Sequence, residues 1–184
     1  MNVQQPHIHH HLVEQCRSGD RQAQRSLYEQ YAKAMFNLAL RILNNREEAE
    51  DVLQEAFVDV FTRLDTFRGE STIGAWIRRI TANKALNVLR KRKMQFEEWN
   101  DATDQREDEV EMETPLYDMA TVQQGIKTLP DGYRVVLTLF LLEGYSHKEI
   151  AGELGITEST SKSQYNRARN KLKQWLLMSN PSMQ

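Results

Sequence analysis

The sequence has a single cysteine, Cys16, among 184 residues, so no disulfide can form within the chain. This absence excludes a small secreted protein held together by disulfides and agrees with the reducing cytoplasm, where we expect the chain to act. Its first fifteen residues lack the apolar core of a signal peptide. The longest apolar run, 135–142, includes Thr138 and is far too short to cross a bilayer. The sequence therefore predicts a cytoplasmic protein without a membrane-spanning helix.

Alternating runs of β-branched residues, which are typical of strands, are also missing, and the sequence predicts an all-α protein. Apolar residues at helical spacing predict helices over 10–18, 21–43, 47–64, from 73 onward, 119–128 and 133–143, with a break at 129–132. The buried face predicted for the second of these helices comprises Leu27, Tyr31, Ala34, Met35, Leu38 and Ile42. Gly19 is predicted to end the first helix, and the side chain of Asp20 to cap the second.

Motifs that would indicate an enzyme are missing as well. The sequence has no glycine-rich phosphate loop, no Cys/His metal spacing and no Ser/His/Asp set on a shared scaffold. We therefore expect no catalytic activity, no cofactor and no small-molecule substrate. Four histidines near the N-terminus could bind a metal, but no cysteine or carboxylate cluster completes a site, and a frayed helix end is the favoured interpretation: His7, His9, His10 and His11.

The formal net charge of −2 conceals three stretches of very different charge. Residues 46–65 contain seven acidic and two basic residues, whereas 78–93 contain seven basic residues and no acidic one. Residues 94–118 carry a net charge of −9, which leaves +7 on the rest of the chain. The basic stretch favours a phosphate-binding surface over a merely solvated face. The acidic stretch 94–118 is poor in aliphatic residues and is predicted to be a flexible linker.

The third predicted helix separates its apolar and acidic residues cleanly. One side carries Val52, Leu53, Ala56, Phe57, Val60, Phe61 and Leu64. The opposite side carries Asp51, Gln54, Glu55, Val58, Asp59 and Thr62. Such an acidic face is either solvated or docks a basic partner helix, and composition alone leaves both interpretations open.

Residues 146–172 have the pattern of a helix-turn-helix. Ser146 and Glu149 form a capping box, Gly155 suits the left-handed turn, and Thr157 can cap the second helix. The buried stripe of that helix would be Ser161, Tyr165, Ala168 and Leu172, where Ser161 is polar at a position that favours an aliphatic residue. Its opposite face carries Ser159, Lys162, Ser163, Asn166, Arg167 and Asn170, followed by Lys171 and Lys173. These side chains can bond bases or phosphates, so DNA binding is favoured over a generic helical hairpin with a solvated basic face.

Four stretches in this order resemble the extracytoplasmic-function group of sigma-70 family sigma factors, over roughly residues 12–177. They are LVEQCRSGDRQAQRSLYEQYAKAMFNLALRIL, EEAEDVLQEAFVDVFTRL, FRGESTIGAWIRRITANKALNVLRKRK and LPDGYRVVLTLFLLEGYSHKEIAGELGITESTSKSQYNRARNKLK. The resemblance implies a bacterial initiation subunit that binds core RNA polymerase, directs it to promoters and helps to open the DNA. It also implies an anti-sigma partner.

The resemblance assigns roles by matching position. The polymerase-contacting residues would be Asp51, Gln54, Glu55 and Asp59. A loop that holds a flipped minus-ten base would comprise Phe67, Arg68, Gly69, Glu70 and Ser71, with further minus-ten contacts from Arg78, Arg79, Asn83, Lys84 and Arg90. The minus-thirty-five element would be read by Ser159, Thr160, Lys162, Ser163, Asn166, Arg167 and Lys171.

The expected organisation is two small helical domains joined by the linker. We expect a disordered tail over 1–9, a polymerase-binding and minus-ten-reading domain over 10–93, the acidic linker over 94–118, a minus-thirty-five-reading helix-turn-helix domain over 119–178 and a tail over 179–184. The alternative from another class is a free-standing helix-turn-helix regulator whose N-terminal part senses a ligand or dimerises. A regulator would bind duplex DNA tightly alone, whereas a sigma factor should need the core polymerase.

Overall fold

The computed structural model describes residues 10–95 and 118–179, which fall into two units that divide between Arg90 and Lys91. Within both described ranges the regular elements are helices and no strand is present, which confirms the predicted all-α class. The predictions for the N-terminal tail, for most of the acidic linker and for residues 180–184 lie outside the described residues.

The first unit is built from α1 (His10–Arg17), α2 (Arg21–Leu43), α3 (Arg46–Thr62), a 3-10 turn (Leu64–Thr66) and α4 (Ile73–Gln95). Asp20 caps α2 by accepting from the backbone N–H groups of Gln22 and Ala23, as predicted. At the other end of α2, Asn44 adopts a left-handed conformation with φ 52°, and the side chain of Asn45 caps α3. The sharp α2–α3 corner therefore follows from the local Asn-Asn sequence.

The core of the first unit brings together Leu27 of α2, Val60 of α3 and Ile77 of α4, each completely buried. Two details of the prediction were wrong. Ala34 is exposed and Ala39 is buried instead, because the contact stripe of α2 follows Met35 and position 34 lies about 100° around the helix from it. Helix α3 ends at Thr62, so the buried Leu64 belongs to the 3-10 turn and not to the helix.

The second unit contains α5 (Met119–Thr128), α6 (Asp131–Leu137), a π-helical turn (Thr138–Leu142), α7 (His147–Leu154) and α8 (Glu158–Ser179). Its buried cluster is formed by Ile126, Leu129, Leu137, Ala168, Leu172 and Leu176. Gly125 permits the close approach of α5 and α8, since a Cβ there would lie 2.6 Å from a methyl group of Leu172.

The break between α5 and α6 is shorter than predicted. Only Leu129 and Pro130 interrupt the helices, because Pro130 supplies the extended backbone of an N-cap and Asp131 suits the positive end of α6. The helix predicted over 133–143 therefore begins at Asp131, and its second half is π-helical, with the Glu143 N–H donating to the carbonyl of Thr138 at 3.1 Å.

Candidate nucleic-acid and protein-binding surfaces

The acidic face, which we define as Asp51, Gln54, Glu55, Val58 and Asp59, covers the outer side of α3. Asp51, Gln54 and Glu55 are exposed, and Asp59 is half-buried. Val58 stands among them with 61% of its surface exposed. The inner side of α3 is fully occupied by the core through Val52, Leu53, Ala56, Phe57 and Val60. The acidic face is therefore available to a partner without any disturbance of the fold.

Lys84 of α4 lies directly beside this acidic face. Its Nζ atom is 3.0 Å from Oδ2 of Asp59 and 3.4 Å from Oε2 of Glu55, and its side chain is only 21% exposed. The sequence assigned Lys84 to DNA and the two carboxylates to polymerase. The structure thus brings together residues that were predicted to serve different partners.

The rest of the basic stretch lies along α4. Arg78, Arg79 and Arg90 are exposed, and Nη1 of Arg90 donates to Oδ1 of Asn87 at 2.6 Å. Asn83 is half-buried, and its Oδ1 atom is buried and accepts no hydrogen bond from the described residues. Arginines exposed on one helix form a surface suited to phosphates, whereas Asn83 is turned partly inward.

The loop between the 3-10 turn and α4 has an anchored start and an exposed tip. The ring of Phe67 is half-buried and packs against Trp76, with ring centroids 5.5 Å apart. The following residues Arg68, Gly69, Glu70 and Ser71 are all exposed, and Gly69 adopts the left-handed φ of +75° that glycine tolerates best. The tip therefore presents polar groups to solvent from a fixed base.

Arg17 of α1 holds the base of this loop and was missed by the sequence analysis. Its Nε and Nη2 atoms donate to the carbonyl of Leu64 at 3.3 and 3.2 Å, and Nη2 also donates to the carbonyl of Phe67. The guanidinium further pairs with Glu14 one turn earlier in α1. Nothing in the sequence near Arg17 signals this role, because its carbonyl partners lie 47 and 50 residues away.

The helix-turn-helix is confirmed by α7, α8 and the turn between them. The capping box at Ser146 and Glu149 is complete, and Gly155 is left-handed with φ +67°. Oγ1 of Thr157 accepts from the N–H of Thr160 at 3.0 Å and so caps α8. Among the residues predicted to read DNA, Ser159, Lys162, Ser163, Asn166 and Lys171 are exposed, whereas Thr160 and Arg167 are half-buried. The first two turns of α8 therefore present a polar and basic face.

The polar residue in the buried stripe of α8 has a specific partner. Ser161 is completely buried, and its Oγ lies 2.9 Å from Nδ1 of His147 at the start of α7. The His147 ring also stacks on Phe140, with centroids 4.2 Å apart, and meets the edge of Tyr165. Burial lowers the pKa of His147, the nearby Lys162 lowers it further, and Glu158 opposes this shift. A serine is therefore tolerated where an aliphatic residue was expected, because its hydroxyl group is hydrogen-bonded to the imidazole of His147.

Comparison with known proteins matches both units to one family. The Sigma-70 region 2 family matches residues 27–94, and the Sigma-70 region 4 family matches residues 120–172. The chain is 33% identical over 171 residues to the RNA polymerase sigma-H factor of Pseudomonas aeruginosa, covering 86% of this chain and 88% of that protein. The chain belongs to the sigma-70 family of RNA polymerase sigma factors.

Further relatives place it in the extracytoplasmic-function group of that family. It is 30% identical to the ECF RNA polymerase sigma factor SigW of Bacillus subtilis, covering 89% of this chain and 94% of that protein. It is 31% identical to the ECF RNA polymerase sigma-E factor of Escherichia coli, covering 86% of this chain and 88% of that protein. Sigma factors bind core RNA polymerase and promoter DNA, so the chain is a DNA-binding transcription initiation factor. The match to region 2 removes the alternative of a free-standing regulator.

Two solved structures resemble most of the chain. CnrH in complex with the cytosolic domain of CnrY has a TM-score of 0.54 and 25% identity, covering 90% of this chain and 94% of that one. The sigma factor RpoE of Bartonella quintana, in complex with the anti-sigma factor NepR, has a TM-score of 0.55 and 22% identity, covering 83% of this chain and 95% of that one. The second likeness supports the fold. Among the described residues no helix is long and apolar enough to cross a membrane, and no group of three metal-ligating side chains occurs.

Proposed function

We propose that the acidic face of α3 is the surface on which this sigma factor binds core RNA polymerase. Asp51, Glu55 and Asp59 supply negative charge, Gln54 supplies a polar contact, and Val58 supplies an exposed apolar side chain. A surface that combines complementary charge with an apolar centre is suited to a basic partner helix. This combination on one exposed helix face is the observation that carries the assignment.

The minus-ten element would be bound by the loop after the 3-10 turn and by α4. The exposed tip, 68–71, beside the anchored Phe67 offers a place where an unstacked base can be held against polar groups and backbone. Arg78, Arg79 and Arg90 would bind the phosphates, and Asn83 and Lys84 would act close to the single strand. Capture of single-stranded bases beside a basic helix is the step that promotes DNA opening.

The minus-thirty-five element would be read by α8 from the major groove. Asn166 and Arg167 lie on the polar face where base edges can be reached, together with Ser159, Lys162 and Ser163. Thr160 at the start of the helix and Lys171 further along would hold the phosphate backbone. This arrangement makes α8 the specificity element of the second unit.

The remaining parts of the proposal follow from this mode of action. The chain would act in the bacterial cytoplasm as a subunit without catalytic activity of its own, with one domain over 10–93, a second over 119–178, and the acidic stretch 94–118 linking them. An anti-sigma protein would occupy the same surfaces when transcription is not required. One of the two solved structures described above contains a sigma factor bound to an anti-sigma factor.

Charge reversal on the acidic face tests the proposal. Asp51→Arg with Glu55→Arg should abolish capture of core polymerase at moderate salt and leave helicity unchanged, because both side chains are exposed. The matched control is Glu29→Arg with Asp65→Arg, which reverses two exposed acidic residues of the same unit outside the acidic face. Equal core capture by both double variants would refute the assignment of this surface.

A further inference from the structure

The contact between Lys84 and the acidic face joins two surfaces that the proposed function assigns to different partners. Lys84 extends from α4, the DNA-facing helix, while Glu55 and Asp59 extend from α3, the polymerase-facing helix. In the chain without partners, one ammonium group is shared between both carboxylates. A positive charge needed at the DNA is thus partly neutralised, and so are two negative charges needed at the polymerase.

The geometry of this contact differs from that of an ordinary surface ion pair. Its ammonium group is bound by two carboxylates, and the side chain of Lys84 is mostly covered, whereas Glu55 keeps 69% of its side chain exposed. An incoming cation can therefore approach the outer oxygens of the carboxylates while Lys84 stays on the inner side. Lysine has a flexible four-carbon stem, so its ammonium group can leave once the carboxylates are occupied.

We propose that docking of a basic helix of core polymerase on Glu55 and Asp59 releases Lys84, which then binds the phosphates of the melted minus-ten strand. This inference rests on the proposed function, since it requires the acidic face to be the polymerase contact. A guanidinium or ammonium group of the partner takes the place of the Lys84 ammonium group. Until polymerase is bound, the ammonium group of Lys84 would therefore be unavailable to the minus-ten DNA.

Reciprocity gives the contact a second consequence. If polymerase binding strengthens the DNA contact by some factor, DNA binding must strengthen polymerase binding by the same factor. Release of Lys84 by DNA would uncover the full charge of Glu55 and Asp59 for the basic helix. Lys84 would therefore couple the two binding events.

The contact can be tested on the full chain without polymerase, using a randomised single-stranded DNA of about 16 nucleotides as the probe. Asp59→Asn and Glu55→Gln remove one carboxylate charge each and retain the side-chain shape. Each should raise the affinity for the probe roughly two- to fivefold at low ionic strength, the range expected from the strength of such pairs. Glu47→Gln removes an equal charge from an exposed position of α3 outside the acidic face and should have a smaller effect.

The same substitutions in a Lys84→Gln background separate release of Lys84 from a general loss of negative charge. Asp59→Asn should then raise affinity no more than Glu47→Gln does, because no ammonium group remains to be freed. A gain from Asp59→Asn that persists undiminished in the Lys84→Gln background would overturn the proposal. Equal gains in probe affinity from Asp59→Asn and Glu47→Gln in the parent chain would also overturn the proposal.

A second measurement compares the chain with and without core polymerase. Lys84→Gln should weaken probe binding by less than twofold in the free chain but by several-fold in the holoenzyme, where Lys84 is released. Lys91→Gln, a second charge removal on α4, should cost the same factor in both states. An equal cost of Lys84→Gln in both states would refute the release. Core capture by Asp51→Arg with Glu55→Arg equal to that of its control double variant would instead refute the polymerase assignment of the acidic face, and the free-chain measurements would still stand.

Discussion

Lys84 of α4 and Lys162 of α8, one lysine from each basic helix assigned to DNA, are paired in different ways. Lys162 of α8 pairs with Glu158 at 2.7 Å, one turn earlier in the same helix, and both side chains are about half exposed. This pair holds the pKa of Glu158 below its usual value, chiefly through the hydrogen bond from Lys162. Lys84 of α4 instead pairs with carboxylates of a neighbouring helix. Lys162 is therefore paired within its own helix, whereas Lys84 is paired with the carboxylates of α3.

The two units also differ in how they fix the segment that we propose to contact DNA. In the first unit a single guanidinium from α1 binds the carbonyls at the base of an exposed loop. In the second unit a buried hydroxyl and an imidazole lock α8 against α7. A loop held at its base with an exposed tip can adapt to a flipped base, while a helix packed along its length presents a fixed face. The comparison predicts adaptable binding at minus ten and rigid reading at minus thirty-five.

The largest effect is expected when Arg17, which holds the base of the loop before α4, is replaced. Arg17→Gln loses hydrogen bonds from a charged donor to two carbonyls, which should lower the free energy of unfolding of the first unit by roughly 2–3 kcal/mol. It should also slow open-complex formation more than it weakens initial duplex binding, and a promoter with a pre-melted bubble should recover part of the loss. Arg25→Gln, which removes only an exposed pair with Glu29, should leave the melting temperature unchanged.

Base reading by α8 should respond to a single residue. Arg167→Ala should cost roughly 1–3 kcal/mol and relax the preference at one promoter position, because a long donor side chain at a base edge is lost. Lys171→Ala is the matched control and should weaken transcription equally on all promoter variants. An equal loss on every variant for Arg167→Ala would remove that residue from the base-reading set.

Removing the hydrogen bond between His147 of α7 and Ser161 of α8 should lower the free energy of unfolding in a non-additive way. His147→Ala leaves the buried Ser161 hydroxyl without its imidazole partner and should cost roughly 1–2 kcal/mol in urea unfolding. Ser161→Ala added to His147→Ala should cost less than the sum of the two single changes, since the unsatisfied hydroxyl is then gone. Strict additivity of the two changes would show that the hydrogen bond contributes nothing.

The smallest effect is expected in the pH dependence of stability, and it is confined to the second unit, which contains His147. Because burial lowers the pKa of His147 in the folded chain, the fold favours the neutral ring. That contribution to stability is present above the unfolded pKa of about 6.5 and is lost as pH falls from there toward the folded pKa. Hydrogen exchange of α8 should therefore accelerate as the pH falls below about 6.5, after correction for the intrinsic rate, and His147→Asn should flatten this dependence. An identical pH profile for His147→Asn would exclude the imidazole as its source.

Local signals in the sequence predicted most of the fold, and long-range contacts account for what they missed. The bounds of α2 and the capping box of α7 follow from neighbouring residues, so they were predicted correctly. The error at Ala34 arises because periodicity alone does not specify which face of α2 packs against other helices, and nothing in the periodicity signals the π-helical turn. Ser161 looked misplaced because its partner His147 lies 14 residues away.

The candidate binding surfaces also depend on contacts between residues far apart in the sequence, which local signals cannot predict. The sequence placed Lys84, Glu55 and Asp59 on the correct helices and assigned them to separate partners. It could not show that they meet, because Lys84 and Glu55 are 29 residues apart and nothing near either residue signals the other. Arg17 was missed for the same reason. Contacts between helices are where the structure adds to the functional assignment.

Site-specific crosslinking from Val58 tests the central claim most directly. Val58 is the exposed apolar side chain of the acidic face, so a photoreactive amino acid there should contact a partner that docks on this face of α3. In the assembled holoenzyme it should crosslink to a core polymerase subunit, and the same amino acid at Glu29 of α2 should not. A holoenzyme that forms normally but gives no core crosslink from position 58 would contradict the account.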